Sequence, residues 1–221
     1  MISVIIPALN EELALPPALA SVAAQDCPHE IIVSDGGSTD RTQAVAAQAG
    51  ARWLQSPRGR GAQMNAGARL ACGDWLLFLH ADTHLPDGAL RTIQSLQPQI
   101  EAGCFHQAFS PAHPLLRVVS RLHNWRCKRT RIMYGDQAMF VRRCVFEALG
   151  GFPEDELEDV RLSERLRERT VPVLLPATVV TDARKFLTHG ILRSVARIVL
   201  LLLCHRYNLP LLGRRFFEPV R

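Results

Sequence analysis

The chain has 221 residues, 48% hydrophobic and 21% charged, a balance that excludes a disordered segment and suits one domain of upper-middling size. Its formal charge of +5 is mild, but the excess falls in two arginine-rich stretches, 117–143 and 184–215, against a nearly balanced first half. A basic second half suits a phosphate-bearing substrate or an anionic membrane surface, whereas no aromatic-interleaved basic motif or zinc-finger spacing argues for nucleic acid.

The six cysteines are scattered, without a Cys-x-x-Cys pair or a histidine at metal-ligand spacing. Reduced thiols in a cytoplasmic protein are therefore expected. Met1 leads directly into an apolar run and then Glu11-Glu12, which is not the layout of a signal peptide. The most apolar stretch, Ile198–Cys204, is too short to span a bilayer, and Arg193 and Arg197 interrupt its extension.

From the amino terminus, the spacing predicts a strand-then-helix rhythm through about residue 96. Ile2–Ile6 reads as a buried strand, and Glu11–Ala24 as a helix that tolerates Pro16-Pro17 only in its first turn. Ile31–Val33 is the second strand, before a helix near Asp40 that Ser38 or Asp40 would cap. Ala51–Leu54 is a short third strand, Gly59-Arg60-Gly61 opens a helix through Ala71, and Trp75–Leu79 is the fourth strand. Strands alternating with helices predict a parallel sheet with right-handed crossovers.

After Pro98 the rhythm breaks. Strands are expected at Gly103–Phe109, Ala138–Val141 and Val171–Leu175, and helices at Leu115–Arg129, Glu158–Arg169 and His189–Tyr207. No linker separates the halves, so a single α/β domain over 1–221 is expected. Residues 1–96 would form a nucleotide-binding half, 97–185 an acceptor and catalytic half, and 186–221 a helical tail.

Each of the first apolar runs stops at a polar cluster with a carboxylate: Pro7-Ala8-Leu9-Asn10-Glu11, then Asp35-Gly36-Gly37-Ser38-Thr39-Asp40, then His80-Ala81-Asp82-Thr83. In open α/β sheets ligands bind beyond the carboxyl ends of strands, so these clusters would converge on one crevice. Asp82 stands where such a fold holds a divalent cation against substrate phosphates, with His80 on the same face. Arg58 and Arg60 are placed to meet a diphosphate, although Gly59–Gly67 matches no dinucleotide or P-loop pattern. The acidic run Glu154–Asp159 precedes a helix and could deliver a carboxylate as a general base, or simply favour the helix amino terminus.

Together, Val4–Glu11, Ile32–Asp40, Gly59–Gly67, Leu79–Thr83, Gly135-Asp136-Gln137 and Glu158-Asp159 resemble the family 2 glycosyltransferases, which have a GT-A fold. The resemblance spans about residues 1–175 and implies a Rossmann-like, mixed but mostly parallel sheet flanked by helices. It implies an inverting transfer of a sugar from a UDP- or GDP-sugar to an acceptor hydroxyl, assisted by Mg²⁺ or Mn²⁺. Pro7, Asn10, Glu11 and Asp35 would hold the nucleoside, Arg60 the diphosphate and Asp82 the metal. Asp159 would be the base with Glu158 beside it, and Asp136 and Gln137 would lie on the acceptor side. The Leu-His-Ala-Asp-Thr form resembles a short bacterial subgroup of arsenosugar-biosynthesis type. It departs from the family's Asp-x-Asp, since His80 stands in place of the first aspartate.

A sugar-1-phosphate nucleotidyltransferase would want a Gly-rich loop after the first strand, which Pro7–Glu11 does not offer; a non-catalytic sugar-nucleotide binder would rest on His80 alone. The tail helix repeats Ile191, Leu192, Val195, Ile198, Val199 and Leu202 at helical spacing, with Arg193, Arg197 and Arg206 off that stripe. It suits core packing, a homodimer interface, or a basic amphipathic helix on the inner face of a membrane, the last fitting a lipid-linked rather than a small-molecule acceptor.

Overall fold

The computed structural model describes residues 1–153, 157–207 and 209. The first strand, β1 (Ile2–Ala8), is buried along almost its whole length between β2 (His29–Asp35) and β4 (Trp75–Phe78), both parallel to it. Sheet side chains alternate faces, and these do. Ile2, Val4 and Ile6 enter one core cluster and Ile5 the other; Val33 and Ile32, and Leu77 and Leu76, divide the same way. A continuous Ile-Ser-Val-Ile-Ile run is what a strand covered on both faces requires.

On one face lie α1 (Leu15–Ala23), α2 (Thr42–Gln48) and α4 (Ala89–Gln94), contributing Leu15, Leu19, Val22, Ala46, Leu90 and Ile93. The other carries α3 (Arg60–Leu70), α5 (Pro114–Thr130), α6 (Arg143–Ala148) and α7 (Glu158–Arg169), through residues such as Met64, Cys127, Phe146, Leu162 and Leu166. The remaining strands are β3 (Arg52–Gln55), β5 (Thr83–His84), β6 (Ala102–Ser110), β7 (Met139–Arg142) and β8 (Val173–Asp182). The single eight-stranded sheet runs β3-β2-β1-β4-β7-β6-β8-β5.

The order makes the crevice. β2 and β3 lie on one side of β1 and β4 on the other, so the strand ends part between β1 and β4. β7 then enters antiparallel to β4, pairing Met139 with Phe78, which brings the 3₁₀ turn Gly135–Gln137 to the carboxyl end of β4. β5 pairs antiparallel with β8, and the Asp182 N–H donates to the Asp82 carbonyl at 2.9 Å.

The expected strands and helices form, with instructive shifts. α1 begins at Leu15, not Glu11, because the prolines fit only its first positions. β8 runs to Asp182 instead of ending at Leu175; its register against β6 jumps between Phe105 and His106, so Pro176 and Ala177 are accommodated in a bulge. The tail is two helices, α8 (Arg184–His189) and α9 (Ile191–Arg206), divided at Gly190, whose φ of 84° ends the first. In α9 only Leu201 and Cys204 are buried, so most of the expected stripe is not core. Asn208 and residues 210–221 of the tail, and Glu154–Glu156 of the acidic run, fall outside the described residues.

Candidate active site

The β1 and β2 ends are laced to each other. Asn10 takes φ 56°, a conformation Asn tolerates better than most residues, and its N–H donates to Ser38 Oγ at 2.9 Å. Its side-chain oxygen accepts the Thr39 N–H at 2.8 Å. The N–H of Glu11 donates to Thr42 Oγ1 and that of Glu12 to Asp40 Oδ2. Asp40 does not cap α2 as a helical N-cap; its Oδ1 accepts the Thr42 N–H in a side-chain turn. Pro7 is half-buried on the strand, paired with Ser34.

Asp35 builds the turn that follows β2. Its Oδ1 accepts the N–H groups of Gly37 and Ser38 and the Ser38 hydroxyl, at 2.8–3.0 Å, while Oδ2 faces the Trp53 indole N–H at 3.3 Å. Beneath it, the buried Gln63 side chain of α3 donates to the Ala8 carbonyl at 2.7 Å and the Ser34 carbonyl at 3.0 Å. Neither Trp53 nor Gln63 was marked as a site residue by the sequence. Gln63 lay in the Gly59–Gly67 stretch, and a glutamine among small residues on a buried helix face was the available signal.

On the other side of the crevice, Asp82 is 8% exposed with Lys185 Nζ 3.5 Å from its Oδ2. Burial would raise its pKa, but the charges of Lys185 and Arg60 hold the carboxyl below its usual range. The neighbouring Arg184 stands 3.5 Å from Glu11 Oε2. Burial pushes the Glu11 carboxyl up, with Asp82 adding to the effect. Lys185 and Arg184, read earlier only as part of a basic stretch, thus close the crevice from the first turn of α8.

His80 lies in the crevice within the field of Asp82. Burial, followed by the Arg60 charge, drives its pKa down to about 3, so the ring is neutral. Its buried Nε2 has no hydrogen-bond partner and lies against the backbone of Gly135, where an added Cβ would come within 2.5 Å and the ring would have to shift.

Asp159, in the first turn of α7, reaches the same Gly135 turn. Its Oδ2 accepts the Gly135 N–H at 2.7 Å and its Oδ1 the Val160 N–H at 2.7 Å. Burial nonetheless raises its pKa, as it does that of Glu158. Arg60 Nη1 stands 3.4 Å from Glu158 Oε1. Desolvation works against the Arg60 charge, but Glu158, Asp159 and Asp82 together hold it protonated. One guanidinium therefore senses carboxylates from the turn after β4 and from α7, although about eighty residues part them in sequence.

Asp136 points from this turn toward His123 of α5, with Oδ1 3.5 Å from Nε2. Burial lowers the His123 pKa. Gln137 is fully buried and spends its amide on the turn, accepting from the Tyr134 N–H at 3.2 Å and donating to the Phe105 carbonyl at 3.4 Å. Arg126 stacks 3.6 Å from the centre of the Tyr134 ring. The crevice thus brings together Glu11, His80, Asp82, Arg60, Glu158, Asp159 and Lys185, while Asp35 and Gln137 shape the loops around it.

Among the described residues no group of three or more His, Cys, Asp or Glu side chains is arranged to hold a metal. A single buried carboxylate at Asp82 fits a hard cation that takes its other ligands from substrate phosphates and water.

Known proteins resemble the chain in sequence or share its fold. A curated glycosyltransferase named for PGL/p-HBAD biosynthesis, from Mycobacterium bovis (strain BCG / Pasteur 1173P2), is 43% identical over 93 residues, 38% of this chain and 36% of its own. The chain therefore spans little more than a third of that relative. Staphylococcus aureus TarS 1-349 superimposes with a TM-score of 0.66 at 19% identity, covering 82% of this chain and 60% of its own. The Pyrobaculum calidifontis mannosyltransferase PcManGT, solved with GDP-Man and Mn²⁺, gives a TM-score of 0.63 at 23% identity, covering 81% and 56%. At these identities the likeness is one of fold. The sequence profile described as Glycosyl transferase family 2 matches residues 3–140, well over half the chain, and the protein belongs to that family.

Proposed function

We propose that the chain moves a sugar from a nucleoside-diphosphate sugar to an acceptor hydroxyl with inversion at the anomeric carbon. The observation that carries this reading is the Asp159 carboxylate: oriented by the Gly135 N–H, pushed up in pKa, and joined to Asp82 through the field of Arg60. A general base works best when its pKa approaches the operating pH, and burial moves Asp159 in that direction. The donor would lie between the Asn10–Ser38 lacing, which cradles the nucleoside, and the Arg60 and Lys185 cations, which meet its diphosphate. Asp82 is the residue that would hold a divalent cation, Mg²⁺ or Mn²⁺, which supplies positive charge against the leaving diphosphate when bound.

The acceptor hydroxyl would approach Asp159 from the Gly135–Gln137 side and give up its proton to the carboxylate as its oxygen attacks the anomeric carbon. Glu158, buried against Arg60, positions that guanidinium rather than taking the proton itself. Support from known proteins is of family and fold: PcManGT was solved with GDP-Man and Mn²⁺, and TarS 1-349 with UDP-GlcNAc. His80, with its nitrogen against Gly135, shapes the turn that presents Asp159 and is not given a metal-binding role.

A thermal-shift screen of nucleoside diphosphates and their sugars, with and without Mn²⁺, tests the reading. One nucleotide at a hundredfold excess over its Kd should add ~2.7 kcal/mol. In a chain of this size that raises Tm by about 5–11 °C. The increment should depend on Mn²⁺ and lose that dependence in Asp82→Ala. Stabilisation by no nucleotide would overturn the proposal.

A further inference from the structure

Helix α5 has two apolar faces, and only one is used by the fold. Leu116, Ser120 and Cys127 are buried against the body of the protein. On the opposite side Leu115, Val118, Leu122 and Trp125 are 44%, 51%, 59% and 59% exposed. Their spacing of three, four and three residues sets them in one row along the helix, since each residue advances about 100°. An exposed row of four large apolar side chains is not what a solvent-facing helix displays.

The charges beside the row are of one sign. Arg117, Arg121 and Lys128 form an exposed flank on one side of it, and the Arg129 guanidinium lies 5.8 Å over the Trp125 ring. Residues 114–131 contain no Asp or Glu. That pattern decides between occupants. A second copy packed on this face by two-fold symmetry would bring like charges together, whereas an anionic bilayer would neutralise them. Exposed apolar residues with Trp among them and a basic flank are what a helix lying in a membrane interface needs.

We propose that α5 docks on an anionic membrane surface, with Leu115, Val118, Leu122 and Trp125 entering the headgroup region and Arg117, Arg121 and Lys128 meeting lipid phosphates. The inner edge of the same helix reaches the reaction centre. His123 faces Asp136 at 3.5 Å and Arg126 covers Tyr134, while Gly135 between them holds Asp159. A docked α5 therefore sets the acceptor side of the crevice about one helix diameter, ~10 Å, from the lipid. The acceptor hydroxyl is then one borne by a membrane lipid, a step that rests on the glycosyl-transfer reading, whereas docking itself does not.

The test uses the full chain without nucleotide, floated with vesicles of phosphatidylcholine alone or with phosphatidylglycerol added. The protein should float with the anionic vesicles at low salt, release as salt rises, and leave the neutral ones unbound. Leu122→Glu combined with Trp125→Glu should reduce the bound fraction by about tenfold or more, because both charges would enter the interface. Both residues are exposed, and an unchanged Tm for the double variant confirms that its fold is intact. As a second reading, lipids brominated near the headgroup should quench fluorescence in the native chain and lose that effect in Trp125→Phe.

Absence of flotation at low salt would overturn the proposal. So would undiminished flotation of the double variant, which would place binding elsewhere, or a dimer that the double variant dissolves. Nucleotide-induced stabilisation is measured without vesicles, so failure of docking and failure of the transfer reading are told apart.

Discussion

The loops after β1 and β2 and the elements around residues 107–136 solve the same problem in opposite ways. In the first region polar groups are closed on one another: Asp35 accepts three hydrogen bonds on one oxygen, Gln63 ties two strand ends, and Asn10 both gives and receives. In the second, Gln107 Nε2 and Arg126 Nε and Nη2 are buried without a hydrogen bond, and His123 Nε2 and Asp136 Oδ1 face each other only at 3.5 Å. Buried polar groups are nearly always satisfied in folded proteins, so a cluster of unmet ones beside a carboxylate of raised pKa marks where a protein keeps interaction capacity in reserve. The first region is closed on itself before anything binds, whereas the second leaves polar groups open beside Asp159.

If that division is real, Asp159→Asn should separate the halves most sharply. Transfer should fall by about 10²–10⁴, the range of a lost general base. Nucleotide affinity by titration calorimetry should stay within about twofold, since none of the laced loops is touched. Parallel loss of both would break the comparison. The pH profile adds a sign. Because burial raises the Asp159 pKa, the active ionised form is lost at a higher pH than for an ordinary aspartate as acid is added. The acid limb of kcat should therefore lie above 3.8, the value of an ordinary aspartate.

The next effect belongs to the laced side and appears in stability. Asp35→Ala removes the buried acceptor of two backbone N–H groups and a hydroxyl in a part-buried turn. That should cost ~1.5 kcal/mol, since the freed donors regain some contact with water. Tm should fall by about 3–6 °C in scanning calorimetry, with nucleotide binding weakened as the turn loosens. A Tm within a degree or so of the parent would show that the lacing is not what holds the loop.

How much of this was legible beforehand follows the range of the interactions. β1, β2 and β4 were readable because burial on both faces writes itself as consecutive β-branched and aliphatic residues, and the carboxylates at their ends followed from strand direction. Glu158 and Asp159 were readable from a motif. His80 and Asp82 both reach the crevice, but the contact of the His80 ring with Gly135 joins residues far apart in sequence and no local period shows it. The bulge at Pro176 hid the second half of β8, since proline normally ends a strand. That in turn hid Lys185, whose place beside Asp82 depends on the pairing of β8 with β5 across nearly a hundred residues. The exposed row on α5 was in the sequence, but no period distinguishes an apolar face that is covered from one that is not.

Lys185 gives the smallest and most diagnostic effect, because the comparison requires it to act in two directions. It is 44% exposed and paired at 3.5 Å with an Asp82 carboxylate that is 10% exposed. If the diphosphate lies beside Asp82 as proposed, the Lys185 ammonium meets it in the absence of a metal, so Lys185→Gln should weaken metal-free binding of the cognate nucleoside diphosphate by about fivefold, ~1 kcal/mol, a screened surface value. The same substitution removes the positive charge that competes for Asp82, so Mn²⁺ should bind the free protein more tightly, not less. Calorimetric titration of each ligand alone gives both signs. Weakening of both would mean that Lys185 merely supports the fold of α8; strengthening of metal binding alone would mean that Asp82, and not the crevice, is its only partner. Opposite shifts are the expected result, since a lone buried carboxylate cannot serve an ammonium and a divalent cation at once.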